Sequence, residues 1–154
     1  MTEQQSSGRV GGIDYGTVRI GIAMTDSRRT MASPVESYTR RDARQDAEHF
    51  RRFVADNAIA LLVVGLPVHL DGRESRKSQE ARQFGQWLNE VTGVSVEFFD
   101  ERFTTTEAQH ILSDAQMRGR RRRQRVDMLA AQGMLSAWLE STARGAQSPQ
   151  SLDD

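Results

Sequence analysis

The sequence predicts an α/β domain with a mixed five-stranded sheet and helices on both faces. Three observations predict it. Near the start, two strand-like runs are separated by a turn of only four residues, short enough for an antiparallel hairpin. Further on, two continuous apolar runs alternate with amphipathic helical stretches, as buried parallel strands and their crossovers do. The chain then closes with two helical segments and no further strand. The resulting order, β-β-β-α-β-α-β-α-α, begins as a meander and continues as right-handed crossovers.

Arg9 to Asp14 reads as a buried strand that ends in a carboxylate. Arg19 to Thr25 alternates as Arg-Ile-Gly-Ile-Ala-Met-Thr and forms the second strand, across the turn Tyr15-Gly16-Thr17-Val18. Val35 to Tyr38, following Pro34, is the third. Asp42 to Asn57 is a helix, with Ala43, Ala47, Phe50, Phe53 and Val54 at helical spacing. Ile59 to Val64 is an apolar run bounded by Gly65 and Pro67, hence a central strand, and Leu66 to Arg73 is a loop with an Asp71-Gly72 turn. Ser75 to Thr92 is a helix that Gly93 ends. Val94 to Phe99 is the last strand, leading into Asp100-Glu101. Thr104 and Glu107 have capping-box spacing, so a helix runs from there to about Met117, and Gly119 breaks it. The final helix starts near Val126 with an apolar stripe of Val126, Leu129, Ala130, Gly133, Met134, Ala137 and Trp138. Trp87 and Trp138 fall on apolar stripes and belong to the core; His49 and His110 read as exposed helix residues.

The chain is long enough for one domain, over residues 9–143, with a polar lead at 1–8 and a loose tail at 144–154. Its lack of cysteine excludes a disulfide scaffold, a thiolate zinc site and a cysteine nucleophile, and fits the cytoplasm. The longest apolar run, Ala58 to Leu66, is far short of the ~20 residues that cross a bilayer, so no membrane association is expected. The charge balance is 21 basic against 21 acidic residues, yet 118–125 alone reads Arg-Gly-Arg-Arg-Arg-Arg-Gln-Arg. Without those six arginines, 15 basic face 21 acidic residues, a net charge of −6. Lys77 is the one lysine. An arginine run of this kind suits a polyanion backbone, or is a solvated loop that repels itself.

Three acidic positions stand out by placement. Asp14 ends the first strand, Asp100 and Glu101 end the last, and Asp127 opens the last helix. If the first and last strands are central neighbours and the last helix packs back over that end, these carboxylates converge. Converged carboxylates repel one another unless a cation or a proton intervenes. With no His or Cys cluster beside them, they suit Mg²⁺ or Mn²⁺, which serve phosphodiester cleavage. The structural alternatives are that Asp is common at turns and that Asp127 offsets a helix dipole. Gly12, Gly16 and Gly21 thin out the hairpin, so that a phosphate can approach the backbone or strands can pack closely. His69 lies in the loop after a central strand, where it can reach a substrate.

Four segments resemble the YqgF/RuvX family in order: Gly12-Ile13-Asp14-Tyr15-Gly16-Thr17-Val18-Arg19-Ile20-Gly21-Ile22-Ala23; Val63-Val64-Gly65-Leu66-Pro67 with Asp71-Gly72; Asp100-Glu101-Arg102-Phe103-Thr104-Thr105; and Val126-Asp127-Met128-Leu129-Ala130-Ala131. The resemblance implies an RNase H-like fold related to the RuvC Holliday-junction resolvases. It implies either a nuclease that matures the 5′ end of pre-16S ribosomal RNA in ribosome biogenesis or a junction resolvase. It also implies Asp14, Glu101 and Asp127 as catalytic carboxylates holding Mg²⁺ or Mn²⁺. Neighbours on an extended strand point to opposite faces, so only one of the adjacent acids reaches the site, and the motif resemblance implies Glu101 and not Asp100. Structured RNA or branched DNA would be held by Gly16, Arg19, His69, Arg102, Thr104, Arg118, Arg120, Arg121, Arg122, Arg123 and Arg125. His69 departs from the family's more usual Asn. A resolvase implies a homodimer making two symmetric cuts, whereas a ribosomal RNA nuclease needs none. Two other readings compete: a noncatalytic nucleic-acid or ribosome-associated factor, and a kinase suggested by Asp14-Tyr15-Gly16-Thr17. Clustered negative charge does not serve the first, and the length of the chain does not suit the second.

Overall fold

The computed structural model describes residues 8–67, 73–101 and 119–147. Its strands are β1 (Arg9–Asp14), β2 (Arg19–Thr25), β3 (Ala32–Thr39), β4 (Ile59–Leu66) and β5 (Ser95–Asp100). Its helices are α1 (Ala43–Asp56), α2 (Arg76–Thr92) and α3 (Gly119–Gln147). The sheet order is β3-β2-β1-β4-β5, antiparallel across the first three strands and parallel across β1, β4 and β5. The mixed sheet predicted from the sequence is therefore present. Against expectation, β1 and β5 are not neighbours, because β4 lies between them.

Local chemistry accounts for the element ends. Asp42 caps α1 by accepting from the Gln45 backbone N–H, and Ser75 caps α2 by accepting from that of Ser78. Gly93 ends α2 in the left-handed conformation, φ 76°. β3 is longer than predicted and takes Pro34 inside it. That is allowed because β3 is an edge strand and a register shift between Ile22 and Ala23 falls opposite the proline. β4 runs on through Leu66, and β5 begins and ends one residue later than expected.

Helices cover both faces. On one, Phe50 and Phe53 of α1 and Ala81, Phe84 and Leu88 of α2 pack on Ile13, Ile20, Ile22, Leu62 and Val64. On the other, Ala131, Met134, Leu135, Ala137 and Trp138 of α3 pack on Val10, Ala23, Val63 and Phe99. Trp138 is buried as predicted, and its indole N–H donates to Glu97 at 3.0 Å. The buried stripe of α3 includes Ala131 and Leu135, which the predicted stripe omits, while Val126, Leu129, Ala130 and Gly133 are only half-buried. His49, expected to be exposed, is half-buried, stacked on Tyr38 at 3.9 Å between ring centroids and paired with Glu36 at 2.7 Å.

The largest departure concerns the arginine run. α3 begins at Gly119, not near Val126, so residues 119–125 are its first turns and not a connecting loop. Gly119 has a φ of +66° and stands at the helix start, and arginine propagates a helix nearly as well as any residue except alanine. Asp127 consequently lies well inside α3, where no helix-dipole role explains it. The predicted helix from Thr104 to Met117 lies outside the described residues. No described helix is long and apolar enough to cross a membrane.

Candidate active site

The carboxyl ends of β1 and β5 carry the acidic residues, and alternation decides which side chains meet. On β1, Val10 and Gly12 face α3 and Ile13 faces α1 and α2, so Asp14 falls on the α3 side. On β5, Phe98 faces the α2 side and Phe99 the α3 side; two residues on, Glu101 returns to the α3 side. Its carboxyl group is hydrogen-bonded to that of Asp14. β4 stands between their strands, and Gly65 is what allows the reach. Ile13 pairs with Val64, which sets Asp14 level with Gly65, and a Cβ on Gly65 would collide with the Glu101 carboxylate.

Burial pushes the Asp14 carboxyl up to about 8, and the Glu101 charge and the hydrogen bond between the two add to the rise. Burial raises Glu101 as well, with the nearby Asp100 charge adding. The hydrogen bond from Asp14 and the Lys77 ammonium act the other way on Glu101. Two carboxyls in such contact hold one proton between them or require a cation.

Asp127 reaches the same region from α3. Its backbone carbonyl rests on Gly21, where a side chain would clash, so the glycine sets how closely α3 lies on β2. Its carboxylate Oδ2 accepts from Arg19 Nε at 2.7 Å and from Ser37 Oγ at 2.8 Å. Asp14, Gly16, Arg19, Lys77 and Asp127 line one cleft of about 600 Å³, together with Tyr15, Val18, Arg76 and Glu80. Among the described residues no three acidic or histidine side chains form a closed metal cluster. The donor set nevertheless fits a hard divalent cation: two half-buried carboxyls that repel each other, with a third carboxylate beside them, held by a cation and a hydroxyl.

The structure thus brings together Asp14, Gly16, Arg19, Glu101 and Asp127. Arg19, a sequence candidate for phosphate contact, is engaged with Asp127 instead. Arg121, Arg122, Arg123 and Arg125 are exposed on the first turns of α3. Arg123 stands four residues before Asp127, on the same face of the helix, while the others point elsewhere around it. His69, Arg102, Thr104 and Arg118 lie outside the described residues, as does the side chain of Arg120. Sequence reasoning did not identify Ser37, Gly65, Arg76 or Lys77 as site residues. The available signals were that Lys77 is the single lysine in an arginine-rich chain and that Gly65 lies inside the motif Val63-Val64-Gly65-Leu66-Pro67.

The sheet order, with acids at the carboxyl ends of β1 and β5 and a helix returning a third across them, defines the class: an RNase H-like nuclease. The fold is that of Thermus thermophilus RuvC in complex with a Holliday junction substrate (TM-score 0.54, 13% identity, covering 89% of this chain and 96% of that one). It is likewise that of the yeast mitochondrial Holliday junction resolvase (TM-score 0.54, 10% identity, 90% and 80%). In sequence, residues 8–141 match the RuvX family, described as Holliday junction resolvase. A relative from Rhodopirellula baltica, named "Putative pre-16S rRNA nuclease", is 42% identical over 97% of this chain and 87% of its own. One of the same name from Mycobacteroides abscessus is 41% identical over 89% and 84%. The chain belongs to the RuvX family.

Proposed function

We propose that this chain is a divalent-metal-dependent endonuclease that matures the 5′ end of pre-16S ribosomal RNA in the cytoplasm. The observation that carries the reading is the pairing of Asp14, at the end of the central strand β1, with Glu101, just after the edge strand β5, and Asp127 beside them. Pure binding of a polyanion gains nothing from clustered carboxyls, whereas cation-assisted hydrolysis needs them. Asp14 and Glu101 would hold Mg²⁺ or Mn²⁺ once their shared proton is released, and Asp127 would complete the set. A bound cation of this kind supplies Lewis-acid activation of water and stabilises the leaving oxygen.

The chain's own residues orient these groups. Arg19 and Ser37 fix the Asp127 carboxylate, and Gly65 clears the path for Glu101. Arg76 and Lys77 line the same cleft as Asp14 and Asp127, where a scissile phosphate would need positive charge. Gly16, where a side chain would collide with the Arg19 carbonyl, would leave the hairpin open to the sugar-phosphate backbone, and the arginines of α3 would hold more distant phosphates.

Cleavage-site mapping tests the reading. Precursor 16S RNA and four-way DNA junctions are incubated with the protein and Mn²⁺ or Mg²⁺, with Asp14→Asn as control. Specific cleavage near the 5′ end of the RNA, absent in the variant, is the expected result. Symmetric cuts in the junction alone would make the protein a resolvase. No cleavage of either substrate overturns the enzymatic reading.

A further inference from the structure

A second cleft adjoins the acid cleft and shares Tyr15 and Glu80 with it. Its volume is about 290 Å³, and Trp87, Phe84 and Arg40 form its walls. The aromatic rings make a continuous ladder. Tyr15 and Phe84 lie 5.2 Å apart between centroids, and Phe84 and Trp87 5.4 Å apart. Phe84 is buried, but Trp87 is half-exposed and lines the open space. Glu80, Gln83 and Trp87 recur at three- and four-residue spacing on α2, so one stripe of the helix leads from the acid cleft to the indole. Lys77 to Trp87 spans about 15 Å along the helix axis.

The cationic wall is held in place beforehand. Arg40 lies over Tyr15 and Phe84, with Cζ 5.5 and 5.2 Å from their ring centroids. Its Nη1 donates to the Tyr15 hydroxyl at 3.3 Å. Its Nε faces the buried carboxylate of Asp46 at 3.6 Å. Asp46 is itself fixed, accepting from the Tyr38 hydroxyl at 2.6 Å and the Arg41 backbone N–H at 2.8 Å. Little ordering entropy therefore remains to be lost when a ligand arrives. Arg41 and Gln83 stand at the rim and offer hydrogen-bond donors.

A flat π-surface, a fixed guanidinium and rim donors, continuous with a cleft lined by Arg76 and Lys77, match one ligand chemistry: an unpaired nucleobase on a polyanionic backbone. We propose that this cleft is a base-stacking subsite, in which Trp87 receives an unpaired base a few nucleotides away from the scissile phosphate. The subsite rests on the nuclease reading above. It would favour cleavage where a single strand flanks the cut, as at the ragged end of a precursor RNA. A paired base would be occluded by its partner strand.

The test titrates the full-length protein with a short single-stranded oligoribonucleotide, its DNA counterpart and a blunt duplex of the same sequence, following tryptophan fluorescence. Trp138 is buried, so Trp87 reports. Both single strands are expected to quench and the duplex not to, the tighter-binding sugar naming the natural source. Trp87→Leu, which keeps an apolar side chain, is expected to bind single strands about tenfold more weakly. Trp87→Phe should bind nearly as the wild type while losing the quench. Thermal unfolding of each variant checks its fold. Unchanged affinity in Trp87→Leu, or equal quenching by the duplex, overturns the subsite. If the wild type cleaves and Trp87→Leu binds normally, only the subsite falls. If single strands quench but no substrate is ever cut, only the nuclease reading falls.

Discussion

Against one face of the sheet, α1 and α2 set Phe50, Phe53, Phe84 and Leu88; against the other, α3 sets Ala131, Leu135 and Ala137 over Gly12, Gly21 and Ala23. The first face is filled with phenylalanine and leucine side chains. The second also buries Met134 and Trp138, but it is thinned with glycine and alanine where the helix backbone lies close to the strands. The thinner face is the one that carries the acids. Close approach there is what brings Asp127 to the end of β1, and an absent side chain at Gly65 is what admits Glu101. The acids and the close-lying helix thus occupy one side of the sheet and the phenylalanine core the other, and that division can be tested from each side.

The largest effect is expected at Asp14. Asp14→Asn removes several kcal/mol of transition-state stabilisation, so cleavage should fall about a thousandfold or more. The same change should stabilise the metal-free protein. Asp14 has a folded pKa raised from the ordinary carboxylate range to about 8. A group shifted that way contributes stability at low pH and loses it as pH rises through the raised value. Metal-free wild type should therefore melt progressively lower between about pH 4 and pH 8. Asp14→Asn should flatten that slope, gaining about 2–4 °C in Tm for each kcal/mol relieved. Added Mn²⁺ should raise the wild-type Tm at neutral pH and the variant's much less. A flat wild-type profile would remove the case for a strained acid pair.

On the opposite face, Phe50→Ala should cost about 3–5 kcal/mol in denaturant unfolding, since Phe50 is fully buried. Mn²⁺ affinity of the folded fraction, measured by calorimetry, should stay near wild type. A large loss of affinity would show that the two faces are not separate. Gly21→Ala probes the thin face. Its methyl meets the Asp127 carbonyl, so α3 must move, at a cost of about 1–3 kcal/mol. Cleavage should fall further than that loss of stability accounts for, which activity measured well below Tm would reveal. The smallest effect is expected from Ser37→Ala, which leaves Arg19 as the partner of Asp127 Oδ2. About 1 kcal/mol is at stake, read as a severalfold weaker Mn²⁺ affinity with little change in Tm, and Thr should restore it.

The hairpin, the capped helices and the central apolar strand were legible in the sequence because each is encoded locally. Asp42 and Ser75 sit at the caps that their chemistry suggests, and alternation limited the adjacent acids Asp100 and Glu101 to one site member, the motif resemblance pointing to Glu101. What was not legible depends on closeness in space. Ser37 is 90 residues from Asp127 in the chain, and nothing in the run Val35 to Tyr38 marks its hydroxyl as a carboxylate partner. Arg19 read as a phosphate ligand because its ion pair spans 108 residues. Gly119 read as a breaker, since a lone glycine does not reveal whether it follows one helix or opens the next. The interposed β4 was missed because strand order is set by crossovers, not by strand composition.

The single lysine carries a practical consequence. Twenty of the 21 basic residues are arginine, and the remaining one, exposed Lys77, lines the acid cleft. Arginine does not react with amine-directed reagents under mild conditions, so the protein presents one side-chain amine, and it is at the mouth of the site. A fluorophore or spin label attached there would sit beside Asp14 and Glu101 in the unmutated protein. Apart from the chain's own α-amine, no background of labelled side chains would need to be engineered away.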